Sequence, residues 1–275
     1  MKRTYFFTIF IVVALLNIPG KVEGLVPPLD LGQVSFALGY EFHNGAGQYL
    51  AGKERYVNDS LVPNPSVQKI PLEFHYGILP KTEMFFEWPI EFRNSDYGDA
   101  RGFASFYLGV KSSFPKLLGM GFILVSRLPF VTGSLDKVYS SEAKELQYGG
   151  FYHYRWPYFQ MTAMVKQSYH PGGIHHPDAA NSLIIEAKPE AIWAGKYYAN
   201  WSVHYQHWQH IAGDAVHSAI LERFLLNISP GFGFQIQNGL KGEITALIPA
   251  EGKNLIVFKG VDMKLYYTLP WNLIE

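Results

Sequence analysis

Cysteine is absent from these 275 residues. Disulfide scaffolds, thiolate metal sites and cysteine nucleophiles are excluded with it. Charge is scarce: Asp, Glu, Lys and Arg make up 17% of the chain, against about 25% in an ordinary soluble domain. Neither sign is in excess, because 23 Lys and Arg balance 23 Asp and Glu. A nucleic-acid partner, which wants a clustered basic surplus, is not expected. No Gly-rich phosphate loop follows a strand and opens a helix, so no cofactor is expected either. Internal repeats, linkers and amphipathic helix-length segments are missing, which points to one domain.

Aromatic side chains are plentiful, at 16% of residues, with 20 Phe, 18 Tyr and 6 Trp. The mean hydropathy is nevertheless −0.01, far too low for a bundle of membrane helices. Apolar residues must therefore alternate with polar ones rather than cluster.

The amino terminus stands apart. Met1-Lys2-Arg3 is a short basic start, Thr4–Ile18 is largely apolar, and Pro19-Gly20 breaks the run before Val22-Glu23-Gly24. This is the order of a secretory signal peptide. The apolar run is shorter than the roughly 20 residues of a spanning helix. Residues 1–24 are expected to be removed, leaving residues 25–275 as an exported domain without a membrane helix.

That domain carries a period of two. Ile70, Leu72, Phe74, Tyr76 and Ile78 alternate with polar or small residues, and after LPKT the pattern resumes with Met84, Phe86, Trp88, Ile90 and Phe92. Phe85 is the one apolar residue on the polar side of that strand. Similar runs predict twelve strands, near 33–42, 67–78, 83–93, 102–112, 117–130, 147–156, 158–169, 182–192, 197–209, 216–236, 239–249 and 254–269. Tight connections at 79–82, 113–116, 156–158, 193–196 and 237–239 alternate with generally longer ones at 43–66, 94–101, 131–146, 170–181, 210–215 and 250–253. Short turns on one side and longer loops on the other are the plan of an outer-membrane barrel. The expected fold is all-β: a closed antiparallel transmembrane β-barrel of about twelve strands, with both termini in the periplasm. A secreted β-sandwich would also alternate. Its apolar face would be mainly aliphatic, whereas here Tyr40, Phe42, Trp88, Phe92, Phe130, Tyr148, Trp156 and Trp201 sit near strand ends, as in aromatic girdles.

Two stretches carry a family resemblance. HYGILPKTEMFFEWPIEF followed by GDARGFASFYLGVKSSFP, and ISPGFGFQIQNGLKGEITALIPAEGKN, resemble the "putative MetA-pathway of phenol degradation" family of outer-membrane transporter-like barrels. The resemblance implies a barrel and the passage of hydrophobic or aromatic compounds. It supplies no catalytic residue. A terminal aromatic that the barrel-assembly machinery reads is usual in such barrels. Here the spacing of Phe258, Gly260, Met263 and Leu265 fits that signal, but the sequence continues through YYTLPWNLIE, so that either Tyr267 or Leu269 ends the strand with a short tail or the last strand is shifted.

On these registers the inward face includes Glu41, Lys69, Glu73, Glu87, Glu91, Arg93, Lys111, Arg127, Arg155, Lys166, Glu186, Lys188, Glu190, Arg223, Lys241, Glu243, Asp262 and Lys264. These are the candidate lumen-lining residues of a polar channel, or charges that pair across a narrow lumen and help to plug it. Tyr49, Tyr97 and Tyr139 fall in long loops and would offer aromatic contacts at the mouth, or pack those loops together.

Seven of the ten histidines lie between 170 and 217. His170, His175, His176, His207 and His210, with Asp178 and Asp214 nearby, would form a rim able to hold zinc or copper, or merely to bond the loops. His204 and His210 share a parity that His207 does not, so one strand cannot converge all three. Ser168-x-His170 with Asn181 offers a nucleophile, base and orienting group of lipase type, but the inward register of Ser168 faces away from lipid. The expected function is passive passage of a small hydrophobic or aromatic solute, with membrane lipid and the assembly machinery as partners. The alternatives are a structural or adhesive barrel and, behind it, a lipase.

Overall fold

The computed structural model describes residues 28–49, 56–57, 66–95, 98–114, 119–129, 132–135, 144–169, 181–194, 196–208, 223–236, 239–253 and 255–269. Twelve long strands form the wall: β1 (Val34–Tyr49), β3 (Ser66–Leu79), β4 (Thr82–Ser95), β6 (Phe106–Ser113), β7 (Met120–Leu128), β8 (Glu145–Arg155), β9 (Phe159–Tyr169), β10 (Ser182–Trp193), β11 (Tyr197–Trp208), β12 (Arg223–Ile236), β13 (Leu240–Lys253) and β14 (Leu255–Thr268). Two short strands are added, β2 (Tyr56–Val57) against β1 and β5 (Gly98–Phe103) against β4. Each wall strand pairs antiparallel with its neighbours, and β14 pairs with β1 from Ser35↔Thr268 to Tyr49↔Leu255. The sheet is therefore closed and leaves no wall strand as an edge, which is the condition for crossing lipid with strands. None of the described helices is long and apolar enough to cross a membrane.

The strand ends differ from expectation in four places. β1 runs on through Tyr49 instead of stopping near 42. The stretch His43-Asn44-Gly45-Ala46-Gly47 breaks the apolar alternation, and pairing with β14, and at His43 and Asn44 also with β3, holds it extended, with a bulge between Gly45 and Gly47. The expected loop 94–101 contains β5, and the expected strand 102–112 is split at Ala104-Ser105. The split lies opposite Pro89, which has no N–H to give to a ladder. Its carbonyl accepts Ala104 N–H at 2.9 Å, and the register slips there as in a bulge, from Glu87↔Tyr107 to Ile90↔Phe103. Finally, 250–253 is the end of β13 rather than a loop; the expected start of β12 at 216 lies outside the described residues.

Beyond the end of β7 the wall continues through a short 3-10 turn, Gly133–Leu135. Thr132 N–H donates to Phe103 carbonyl at 3.0 Å, and Arg101 N–H donates to Ser134 Oγ at 2.8 Å. The turn thus satisfies the edge of β5 in place of a strand.

The two faces are chemically distinct. Outside, Phe36, Leu38, Leu124, Val165, Ile185, Trp201, Ile244 and Leu265 are exposed, Leu38 and Trp201 by more than half of their surface. Apolar residues at such exposure are stable only where the surrounding medium is apolar. At the end that carries the tight turns, Trp193, Tyr197 and Phe232 form an aromatic cluster, with Trp193 and Phe232 centroids 5.7 Å apart. Inside, rings lie over glycines of the adjoining strand. A Cβ on Gly109 would stand 2.2 Å from Phe85 Cζ, one on Gly121 2.2 Å from Phe151 Cζ, and one on Gly233 2.1 Å from Tyr198 Cζ. A closed antiparallel barrel with an apolar outside is the architecture of an outer-membrane protein.

Candidate functional site

The lumen concentrates the polar chemistry, because strand pleat sends alternate residues inward. At the turn end, Glu83 is 1% exposed and collects three partners. Lys111 Nζ lies 2.8 Å and His75 Nδ1 3.3 Å from its Oε1, and Leu29 N–H donates to its Oε2 at 2.9 Å. His75 Nε2 is 3.4 Å from Glu73, which also binds Lys264. A continuous chain of charge thus runs from β14 through β3 and β4 to β6.

The Leu29 bond shows that the segment 28–33 folds back into this mouth. Pro28 and Leu29 are buried, Gly32 N–H donates to Gly77 carbonyl and Gly77 N–H to Gln33 carbonyl, both at 2.9 Å. Gly77 has to be glycine: a Cβ there would meet Asp30 O at 1.9 Å. Lys81, outside the mouth, holds Asp30 at 3.0 Å.

On the opposite wall a second network bridges non-adjacent strands. Lys188 of β10 reaches Glu243 of β13 at 2.6 and 2.8 Å and Glu190 at 3.5 Å. Lys241 lies 3.9 Å from Glu190 and 4.6 Å from the Tyr198 ring centroid. Asn200 and Thr245 donate to Glu243 at 3.1 Å, and Tyr198 donates at 3.2 Å. Buried carboxylates need such a full set of donors to remain charged.

Between these networks and the loop end lies a cavity of about 550 Å³. Its lining interleaves the charged Glu41, Lys69, Glu87, Glu91, Arg93, Arg127 and Lys166 with Pro71, Phe85, Pro89, Ala104, Ile123 and Val125. Its floor is Phe85, which stacks on His75 at 5.8 Å and lies one inward step above Glu83. Tyr107 borders it, with Arg127 6.0 Å from the ring centroid.

Of the candidate lumen residues, Lys69, Glu87, Glu91, Arg93, Arg127 and Lys166 border this cavity. Glu91 binds Arg93 and stands 4.0 Å from Lys69. Lys166 is 3.4 Å from Glu186, which His204 also contacts at 3.2 Å. Glu73, Lys111 and Lys188 belong to the two networks already described. Arg155 is exposed at the turn end, and half-buried Arg223 pairs in register with Trp208 at the loop end. Most of these charges thus meet around the cavity or in the two networks, while Arg155 and Arg223 stand at the two ends of the wall.

Ser168 is fully buried, and its hydroxyl donates to Glu145 Oε1 at 2.5 Å rather than to an imidazole. Glu145 also receives Gln147 at 2.8 Å and lies 3.8 Å from Arg127. His170, His175, His176 and His210 lie outside the described residues, as do Tyr97 and Tyr139. His207 is on β11, of opposite parity to His204. Glu83 opens the expected strand 83–93 and Glu145 falls in the expected loop 131–146, so neither was read as a lumen acid. His43 falls in the expected loop 43–66 and His75 near the end of the expected strand 67–78, and neither was among the candidates. Their parity with Glu41 and Glu73 was the available signal.

No family model and no curated protein matches the chain. Among solved structures it is similar to an outer membrane channel from Pseudomonas putida F1, with a TM-score of 0.69 and 11% identity over 92% of this chain and 100% of that one. The β domain of the Bordetella autotransporter Brka aligns at a TM-score of 0.47 and 9% identity, covering 86% and 99% of the two chains. The CymD monoaromatic hydrocarbon channel aligns at 0.44 and 9% identity, covering 90% of each. The likeness to the Pseudomonas channel is one of fold.

Proposed function

We propose that this barrel is a passive outer-membrane channel for small hydrophobic or aromatic solutes, inserted by the barrel-assembly machinery after removal of a signal peptide ending near Gly24. The observation that carries the reading is the cavity of about 550 Å³, within the range of small-ligand sites. Its apolar residues Ile123 and Val125 suit the face of an aromatic ring. Tyr107 and Arg127 suit its edge or a polar substituent. The candidate lumen residues line the path around it, and their ion pairs keep that path narrow. The sequence resemblance to the phenol-degradation barrels supports the same cargo, and membership of that family is part of the proposal.

The experiment is uptake of an aromatic solute into liposomes holding the mature protein. Val125→Trp fills part of the cavity and should cut uptake several-fold while leaving the folded, heat-modifiable band intact. Equal uptake by empty liposomes and by the wild type would sink the proposal. So would a folded Val125→Trp protein with undiminished uptake.

A further inference from the structure

Three side chains with metal-ligating atoms meet where the barrel closes. Glu41 and His43 stand two residues apart on β1, which sends both to one face. Asp262 on β14 is the register partner of Glu41. His43 Nε2 lies 2.6 Å from Asp262 Oδ1, and one ligand atom from each of the three residues falls within 4.8 Å of the others. All three are half-buried, and Glu41 borders the lumen cavity.

Two carboxylates directly opposite each other on paired strands repel. The lysines that face them are engaged elsewhere. Lys264 binds Glu73, and Lys69, the partner of Glu41 on β3, has its Nζ 4.0 Å from Glu91. Among the described residues Glu41 accepts no hydrogen bond, although it shares its space with Asp262, His43 and those two lysines. The contact between His43 and Asp262 satisfies one acid of the pair and leaves the other.

We propose that Glu41, His43 and Asp262 form a binding site for a divalent transition metal ion, with Zn²⁺ as the fitting probe. One imidazole nitrogen and two carboxylate oxygens are ligand types that Zn²⁺ takes in sites with three protein ligands and an open position. The imidazole argues against Ca²⁺ or Mg²⁺, which take oxygen ligands. A bound ion neutralises the facing carboxylates and bonds to both β1 and β14, so it ties the seam of the barrel from within. The site does not depend on the channel reading. A barrel that conducts nothing would bind the ion equally well.

The test uses the full mature protein in detergent, stripped with a chelator and dialysed against Zn²⁺. Bound metal is measured against His43→Ala and Asp262→Asn, with the histidines of 170–217 unchanged so that they contribute equally to every sample. The heat-modifiable band on an unheated gel reports that each variant is folded. The expected result is about one equivalent of Zn²⁺ fewer in each folded variant. Zn²⁺, but not Ca²⁺, should raise the temperature at which the wild-type band is lost and leave the variants unshifted. Should the His43 or Asp262 variant fail to fold, Glu41→Gln keeps the His43–Asp262 contact and should bind Zn²⁺ at least about tenfold more weakly, a loss of the size seen when a metal site is disturbed. Equal Zn²⁺ content in the wild type and a folded variant overturns the site, as does an unchanged affinity in Glu41→Gln.

Discussion

Lys188 on β10 and Glu243 on β13 meet at 2.6 Å across the two strands that lie between them in the wall. A contact of that span is a chord of the barrel, not a rung of its ladder. Removing the lysine leaves Glu243 with the neutral donors Tyr198, Asn200 and Thr245. Lys188→Met should therefore destabilise the barrel by about 1–3 kcal/mol, the cost of leaving a buried charged group short of a partner. Adding Glu243→Leu should recover part of that loss, because an apolar pair can replace a buried ion pair. The fraction of folded band against urea checks both, and a double variant no more stable than Lys188→Met alone would contradict the second expectation.

The strap at residues 28–33 gives a second expectation. Gly77→Ala puts a Cβ where Asp30 carbonyl now lies, at 1.9 Å, so the strap has to leave the mouth or shift within it. The wall itself is untouched. Single-channel conductance should rise, and a protease added from the turn end should trim the amino terminus. An unchanged conductance together with a protected terminus would mean that the strand yields instead.

Phe85 is the floor of the cavity. Phe85→Ala removes a half-buried ring that stacks on His75 and covers Gly109. A loss of about 1–3 kcal/mol follows from the deleted contacts, below the full core value because the ring is partly exposed. Uptake of an aromatic solute should quicken, since a ring that borders the cavity is gone. Slower uptake would assign the ring a binding role instead of a limiting one.

Leu265 faces lipid in register with Leu38 on the closing pair. Leu265→Arg places a base on the outer face, where such a change costs roughly 2–4 kcal/mol near the bilayer midplane. The folded band should be lost or melt far earlier. Full retention would show that this stretch lies outside the apolar band.

The barrel was legible because its wall is written in a period of two, and a period survives without knowledge of partners. Strand ends were read well where tight turns supply punctuation, as at Lys81, whose φ of 60° marks the β3–β4 reversal, or Ala194 at 51°. They were read badly where the sequence is glycine-rich or proline-bearing. Gly45 and Gly47 gave β1 no pattern to extend, and Pro89 broke a strand on a different segment from its own. The lumen charges were legible one at a time, from parity. Their pairings were not, since Lys264 with Glu73 or His43 with Asp262 are separated by 191 and 219 residues, and only barrel closure brings them together.

The rings that lie over glycines inside the wall have a bearing on how this sequence can change. Phe85 and Gly109 share one volume, as do Phe151 with Gly121 and Tyr198 with Gly233. Neither member of such a couple is free to vary alone: a side chain at the glycine collides with the ring, and loss of the ring opens a hole over bare backbone. The permitted route passes through both, with the ring shrinking before or as the glycine grows, or with the two trading strands. Among descendants of a common barrel these couples should therefore covary as size-compensated pairs, more tightly than the outward positions between them, where any apolar side chain meets lipid equally well.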